Sequence, residues 1–338
     1  MPVATISRRG VGSRAMTAST APFALGDLEA ELETHRKALT GYCYRMLGAG
    51  AEAEDAVQET MVRAWRAADR FEGRSSVRSW LFRIATNVCI DMHRSPQRRA
   101  RPMDLGPATP FAEASLGPQL VESTFVQPYR DDRMLPDSGD PAELAAARES
   151  VRLAFVAALQ HLPARQRAVL ILCEVLKWQA AEVAELLESS VASVNSALQR
   201  ARATLADAPA GSLDPVTDPE QAELLARYVD AFERYDMDAL TQLLRDDVVL
   251  SMPPWDLWLQ GRDDLLAWFV GPGIGCAGSK LIPVEVNGTA GFASYKPAAP
   301  GRWAIQVVEV RDGRISAHHN FIGADLFAQF GLPDHLEG

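Results

Sequence analysis

Apolar positions recur first with a helical period and, in the last third of the chain, with the alternation that marks strands. From Asp27 to about Arg94 the spacing predicts helices throughout. Within Glu52–Phe71, Val57, Met61, Ala64, Trp65 and Ala68 fall on one stripe. Asp55, Gln58 and Glu59 share the polar side near the helix start, where acids suit the macrodipole. In Ser76–Arg94 the side chains divide into two sectors at about 100° per residue. Val77, Leu81, Ile84, Ala85, Val88 and Met92 form a core face, and Ser76, Trp80, Arg83, Asn87, Asp91 and Arg94 form the other. A tryptophan among arginines and an asparagine either packs under the preceding loop or stacks on exposed bases beside neutralised phosphates.

Seven prolines and three glycines between Ser95 and Asp140 interrupt any regular element, so this stretch reads as a tether. Helical spacing resumes from Pro141 to Leu205. Leu162-Pro163 opens a helix, a short helix Trp178–Glu188 follows, and Ser189-Ser190 turns into Val191–Leu205. Two helices about a tight turn, the second with Ser193, Asn195, Ser196, Gln199, Arg200 and Arg202 outward, suit a helix-turn-helix or a plain αα-hairpin. After the Pro- and Gly-rich Ala206–Pro219, two helical segments, Glu220–Arg234 and Met237–Arg245, precede strands at Asp247–Met252, Lys280–Val286 and Trp303–Val310. The last turns through Asp312-Gly313 into Ile315–Phe321. The expected organisation is therefore an N-terminal disordered extension (1–26), a helical domain (27–95), a linker (96–140), a second helical domain (141–206), a linker (207–219) and an α+β domain (220–338).

Composition narrows the class. A chain of 338 residues, 47% hydrophobic and 23% charged, exceeds one core, and it has no apolar run long enough for a bilayer. The first 26 residues carry Arg8, Arg9 and Arg14 without an acid. They lack the apolar centre of a signal peptide, so translation from Met16 is an alternative start. Cys43, Cys89, Cys173 and Cys276 are too far apart for a metal knuckle or redox pair, which suits buried thiols in a reducing cytoplasm. The net charge of −10 is unevenly spread. Arg70–Arg101 has eight arginines against two acids, a net of +6, whereas Thr217–Gly338 is −9.

In order, these pieces resemble the extracytoplasmic-function (ECF) group of bacterial sigma-70 factors. The residues that carry the resemblance are Ala53–Glu59, Phe71–Ser75, Trp80–Asn87 with Asp91, Leu162-Pro163 with Arg165-Gln166-Arg167, and Val194–Arg202, at family spacing over Leu28–Leu205. The resemblance implies two all-α sigma domains, region 2 and the helix-turn-helix region 4. Asp55, Gln58 and Glu59 match the surface that grips the β′ clamp helices of RNA polymerase, and region 4 implies the β flap as a second contact. Arg74 and Ser76 with Trp80, Arg83, Asn87, Asp91 and Arg94 match the part that captures a flipped −10 base and melts the duplex. Helix Val191–Leu205 matches the reader of the −35 element. Asn195 and Ala197 stand where many members carry Lys and Arg, and Glu188 where the turn usually has Gly, so two phosphate contacts are expected to be missing. The last-helix pattern is similar to the sigma-G-type subgroup, which has an extra C-terminal domain.

Tyr228–Leu332 resembles the SnoaL-like branch of the nuclear-transport-factor-2 fold, a cone-shaped α+β domain whose relatives include isomerases and cyclases as well as non-catalytic regulators. Strand alternation puts Ile315, Ala317, His319 and Phe321 on one face and Ser316, His318 and Asn320 on the other. Asp256, between Trp255 and Trp258 and facing His319, is either a proton-transfer pair at a ligand pocket or a buried structural group. The expected protein is an ECF sigma factor without catalysis, cofactor or metal, and without a membrane partner. Its fused SnoaL-like domain contacts the sigma domains and is a candidate ligand sensor. The alternative is a SnoaL-like isomerase or cyclase fused to a DNA-binding half.

Overall fold

The computed structural model of the chain describes residues 25–71, 73, 75–92, 99–206, 219–297 and 301–336. Helices α1 (Leu25–Leu47), α2 (Gly50–Ala67) and α3 (Val77–Met92) form the first helical unit. On α3 the buried face is wider than the heptad-like spacing suggests, because Phe82, Thr86 and Cys89 are buried beside Leu81, Ala85 and Val88, while Met92 is exposed. Phe82 packs edge-on against Tyr42, whose hydroxyl lies 2.8 Å from Thr86 Oγ1. On α2 the core stripe is Ala53, Ala56, Val57, Thr60 and Ala64; Trp65, expected in it, is 61% exposed.

Between 99 and 140 the only helix among the described residues is a single turn, α4 (Pro102–Leu105), beside short 3₁₀ turns, as the proline frequency predicts. The stretch is nonetheless fixed, because its apolar residues Phe125, Val126, Tyr129, Met134 and Leu135 are buried. Proline removed regular structure and left the hydrophobic contacts intact.

The second helical unit comprises α5 (Pro141–Glu149), α6 (Leu153–Gln160), α7 (Ala164–Leu170), α8 (Ala180–Leu186) and α9 (Val191–Leu205), with a π turn at Ile171–Val175 continuing α7. Asp140 caps α5 with Pro141 at its first position, and Ser190 Oγ accepts the Ser193 N–H at 3.1 Å to cap α9. Arg167 is wholly buried. Its guanidinium donates to the carbonyls of Met46, Gln160 and Leu162 and to Gln160 Oε1, which fastens α7 to the end of α1.

The C-terminal third contains α10 (Pro219–Arg234), α11 (Met237–Leu243), β1 (Leu244–Ser251), β2 (Trp258–Gln260), α12 (Arg262–Val270), β3 (Lys280–Val286), β4 (Thr289–Tyr295), β5 (Arg302–Arg311), β6 (Arg314–Ile322) and α13 (Ala324–Gln329). One six-stranded sheet has the order β2-β1-β6-β5-β4-β3, antiparallel except for β1 beside β6. Each face of the sheet is covered. Val248, Leu250, Val308, Val310 and Ile315 share a core with α10, α11 and α12. Val286, Ile305, Val307 and Phe321 join a second core that runs without a break through Val126 and Tyr129 of the linker into both helical units.

Candidate functional site

The outward side of α2 carries Asp55 and Gln58, both exposed, and Glu59, half-buried and bonded to Arg63 Nε at 2.6 Å. Val62 and Trp65 continue the same side at helical spacing, so an acidic patch runs directly into an exposed aromatic. Asp91 of α3 meets Arg63 at 3.5 Å, which ties the two helices' polar sides together.

On α3, Ser76 Oγ accepts the Ser79 N–H at 3.1 Å and so caps the helix. Trp80 is half-buried on Phe71, with ring centroids 4.8 Å apart, and Asn87 is exposed. Arg83 is engaged: its guanidinium donates to the Glu185 carbonyl of α8 at 3.3 Å. Arg78 lies over Trp178 at 5.1 Å, and Trp178 packs on Phe82. The second helical unit is thus docked on the basic side of α3. Arg74 and Arg94 lie outside the described residues.

On α9, Ser193, Asn195, Ser196, Gln199, Arg200 and Arg202 are all exposed, while Val194, Ala197 and Ala201 are buried. Arg202 pairs with Glu174. Ala197 therefore faces the helical core, and a longer side chain there has no path to a phosphate; of the two expected missing contacts only Asn195 is at the surface. The turn before α9 is a Schellman motif, with Ser189 N–H on Ala184 O at 2.8 Å and Glu188 N–H on Glu185 O at 3.2 Å. Glu188 takes its left-handed position at φ 50°.

The pocket expected around Trp255, Asp256, Trp258 and His319 does not form. Asp256 is exposed, whereas His319 is buried, 2.7 Å from Ser251 Oγ and 3.9 Å from Glu309. Burial pushes His319 down to about 3 and Glu309 up, so the imidazole is neutral. The simple alternation failed at a β-bulge: Glu309 pairs with Ala317 but Val310 with Ile315, so Ser316 is the extra residue and Ile315 turns away from Ala317. His319 and Phe321 consequently face Leu153 of α6 and Val126 of the linker. His318 is the histidine that points toward α10. Its Nε2 is 2.6 Å from Tyr228 Oη, Asn320 Nδ2 donates to its Nδ1 at 3.0 Å, and Tyr228 donates to Gln306 at 2.9 Å. The rings of Tyr228, Phe232 and Phe269 surround His318 at centroid distances of 5.8, 6.1 and 5.9 Å. Sequence reasoning missed this network because the bulge is invisible to a period of two.

The two tryptophans hold the linker instead. Trp255 Nε1 donates to Gly117 O at 2.8 Å and Trp258 Nε1 to Gly106 O at 3.0 Å, while the Leu120 and Thr109 N–H groups bond to Pro254 O and Trp258 O. At the other end of the sheet, the β3–β4 turn Asn287-Gly288 enters a cleft between α1, the linker and the start of α6. Asn287 Nδ2 donates to Tyr44 Oη and Val151 O, both at 2.6 Å, and its Oδ1 accepts the Tyr129 N–H at 2.9 Å. Gly288 N–H donates to the Asp131 carboxylate. The signal for this turn was in the sequence: Asn-Gly is the preferred dipeptide for a two-residue hairpin, and both residues have positive φ.

Among the described residues no group of His, Cys, Asp and Glu is arranged to hold a metal ion, and no helix is long and apolar enough to cross a membrane. The hydrogen bond with the neighbouring Cys89, and then burial, hold the Cys43 thiol well above its ordinary value.

Comparison with known proteins gives three family matches: Sigma-70 region 2 over residues 32–99, Sigma-70 region 4 over 152–205, and the SnoaL-like domain over 225–318. The ECF RNA polymerase sigma factor SigG of Mycobacterium tuberculosis is 42% identical over 321 residues, covering 92% of this chain and 85% of that protein. SigJ of the same organism is 28% identical over 322 residues, covering 90% and 94%. The crystal structure of SigJ superposes with a TM-score of 0.59 at 25% identity, covering 90% of this chain and all of that one.

Proposed function

The chain belongs to the ECF RNA polymerase sigma factors, and from that premise we propose which surfaces meet polymerase and promoter and how the fused SnoaL-like domain governs them. RNA polymerase core is met by Asp55, Gln58 and Glu59 on the β′ clamp helices, with exposed Trp65 extending the contact, and by region 4 on the β flap. Ser76, Trp80, Arg83, Asn87 and Asp91, with Arg74 and Arg94, serve −10 capture and melting. The outward residues of α9 read the −35 element. The observation that supports this best is the partition of α9, where every proposed DNA-facing residue is exposed and Val194, Ala197 and Ala201 are buried.

The conformation is a closed one. Arg83 and Arg78 cannot serve DNA while α8 and Trp178 occupy them, so promoter engagement requires α8 to leave α3. We read the SnoaL-like domain as the non-catalytic element that holds this state, because it grips the linker at both ends of the sheet and its own interior is packed with rings around His318. The protein is read as cytoplasmic, where its polymerase partner works. Run-off transcription with core polymerase tests the assignment. Transcripts should depend on polymerase and on this chain and fall at least tenfold for Asp55→Lys with Glu59→Lys. Promoter binding without polymerase, and no transcript with it, would make the chain a repressor instead.

A further inference from the structure

We propose that the groove between α10, strands β3 and β4 and the linker binds a small amphipathic molecule that carries a primary ammonium group. The groove measures about 670 Å³, within the range of small-molecule sites. A helix about 10 Å across fills roughly 400 Å³ per turn, so a peptide of more than two turns does not fit.

Its apolar wall is a second stripe of α10. Leu224, Tyr228 and Phe232 turn into the core of the sheet, whereas Ala222, Leu225, Ala226 and Val229, at helical spacing on another side, line the groove with Val284 and Phe292. The opposite rim is acidic, with Asp131, Asp132, Asp137 and Glu285 against Arg148. Two of these acids are already neutralised, Asp132 by Arg130 at 2.6 Å and Asp137 by Lys37 at 2.5 Å. Among the described residues Asp131 and Glu285 make no ion pair. Asp131 accepts the Gly288 N–H at 2.9 and 3.1 Å to its two oxygens, and burial pushes its carboxyl up to about 7 despite the Gly288 bond and the opposing charge of Arg148. An ammonium has three donors and a point charge for the remaining lone pairs of Asp131, while an alkyl or aryl body covers the α10 stripe. A carboxylate ligand of the same shape is repelled, and an alcohol loses the charge-assisted bonds.

The consequence for transcription rests on the regulatory reading above. The carboxylate that would take the ammonium also holds Gly288, beside the Asn287 contacts that dock the sheet, so an occupant pulls on the turn that grips the linker.

Calorimetry on the full chain with 4-phenylbutylamine as the probe tests the site, with 4-phenylbutanol and 4-phenylbutyrate as controls. The amine should bind saturably with one site, at least tenfold more tightly than the alcohol, and the acid should not bind. Asp131→Asn, which keeps an acceptor for Gly288, should lose at least tenfold for the amine and little for the alcohol. Ala226→Phe, a filling substitution at an exposed position, should block both. Equal affinity of amine and alcohol, an unchanged Asp131→Asn variant, or no saturable binding overturns the proposal. Saturable amine binding that leaves run-off transcription unchanged would preserve the site and refute only its link to the closed state.

Discussion

Trp80, Arg83 and Asn87 share one side of α3 yet have different neighbours, and the difference decides which of them can be tested cleanly. Trp80 is stacked on Phe71 and Arg83 is bonded to α8, so replacing either also disturbs packing. Asn87 is exposed, and Asn87→Ala should change stability by no more than about 0.5 kcal/mol. It should leave core binding intact and depress open-complex formation at least tenfold, read as lost permanganate reactivity of −10 thymines, since base capture acts only once strands part. Wild-type reactivity would remove Asn87 from the melting surface. On α9, position 195 is solvent-facing and position 197 is not. Asn195→Lys should strengthen promoter binding on all sequences and steepen the salt slope by about one unit. Ala197→Arg should instead cost about 2–4 kcal/mol by forcing a charged side chain against α7, seen in chemical denaturation. Similar effects of the two would mean that α9 is rotated from the orientation described here.

At the scale of elements, the turn between α8 and α9 keeps both hydrogen bonds of its motif although the residue in the left-handed position is Glu188. A Cβ there costs on the order of 1 kcal/mol relative to glycine. Glu188→Gly should therefore raise the melting temperature by a few degrees without altering sequence preference, because the position precedes the DNA-facing residues of α9. A lower melting temperature would show that the glutamate makes a compensating contact. Helices were legible in the sequence wherever apolar spacing was regular, as in α3, α9 and α10. Strand β4 was not, since Thr-Ala-Gly-Phe-Ala-Ser-Tyr has little strand propensity and is set by burial on both faces between β3 and β5. The bulge at Ser316 was equally hidden. One extra residue exchanged the roles of His318 and His319, and the expected Asp256–His319 pair failed for that reason rather than through a misread strand.

At the scale of the whole molecule, the linker's prolines announced an irregular chain, but its buried aromatic residues decide that it is clamped, and a residue-by-residue reading weighed only the first. The polar contacts of this clamp converge on few groups, Asn287 above all. If Asn287 is removed, Tyr129 N–H, Tyr44 Oη and Val151 O each lose a partner in a buried setting, and an unmet group of this kind costs about 1–3 kcal/mol. Asn287→Ala should accordingly lower hydrogen-exchange protection of the 125–135 amides by about tenfold to hundredfold. Protection within α10 and α11, whose buried residues belong to the C-terminal domain's own core, should hold. If, as proposed, the docked linker helps to hold the closed state, run-off output per polymerase should rise in the same variant. Asp312→Gly, at the exposed turn between β5 and β6, supplies the control, since it alters a hairpin of the same sheet away from the cleft. Output and exchange should stay at wild-type values there. If Asn287→Ala loosens the linker but leaves transcription unchanged, docking is architectural and the closed state is held by α3 and α8 alone. If exchange is also unchanged, the buried amide does not carry the docking.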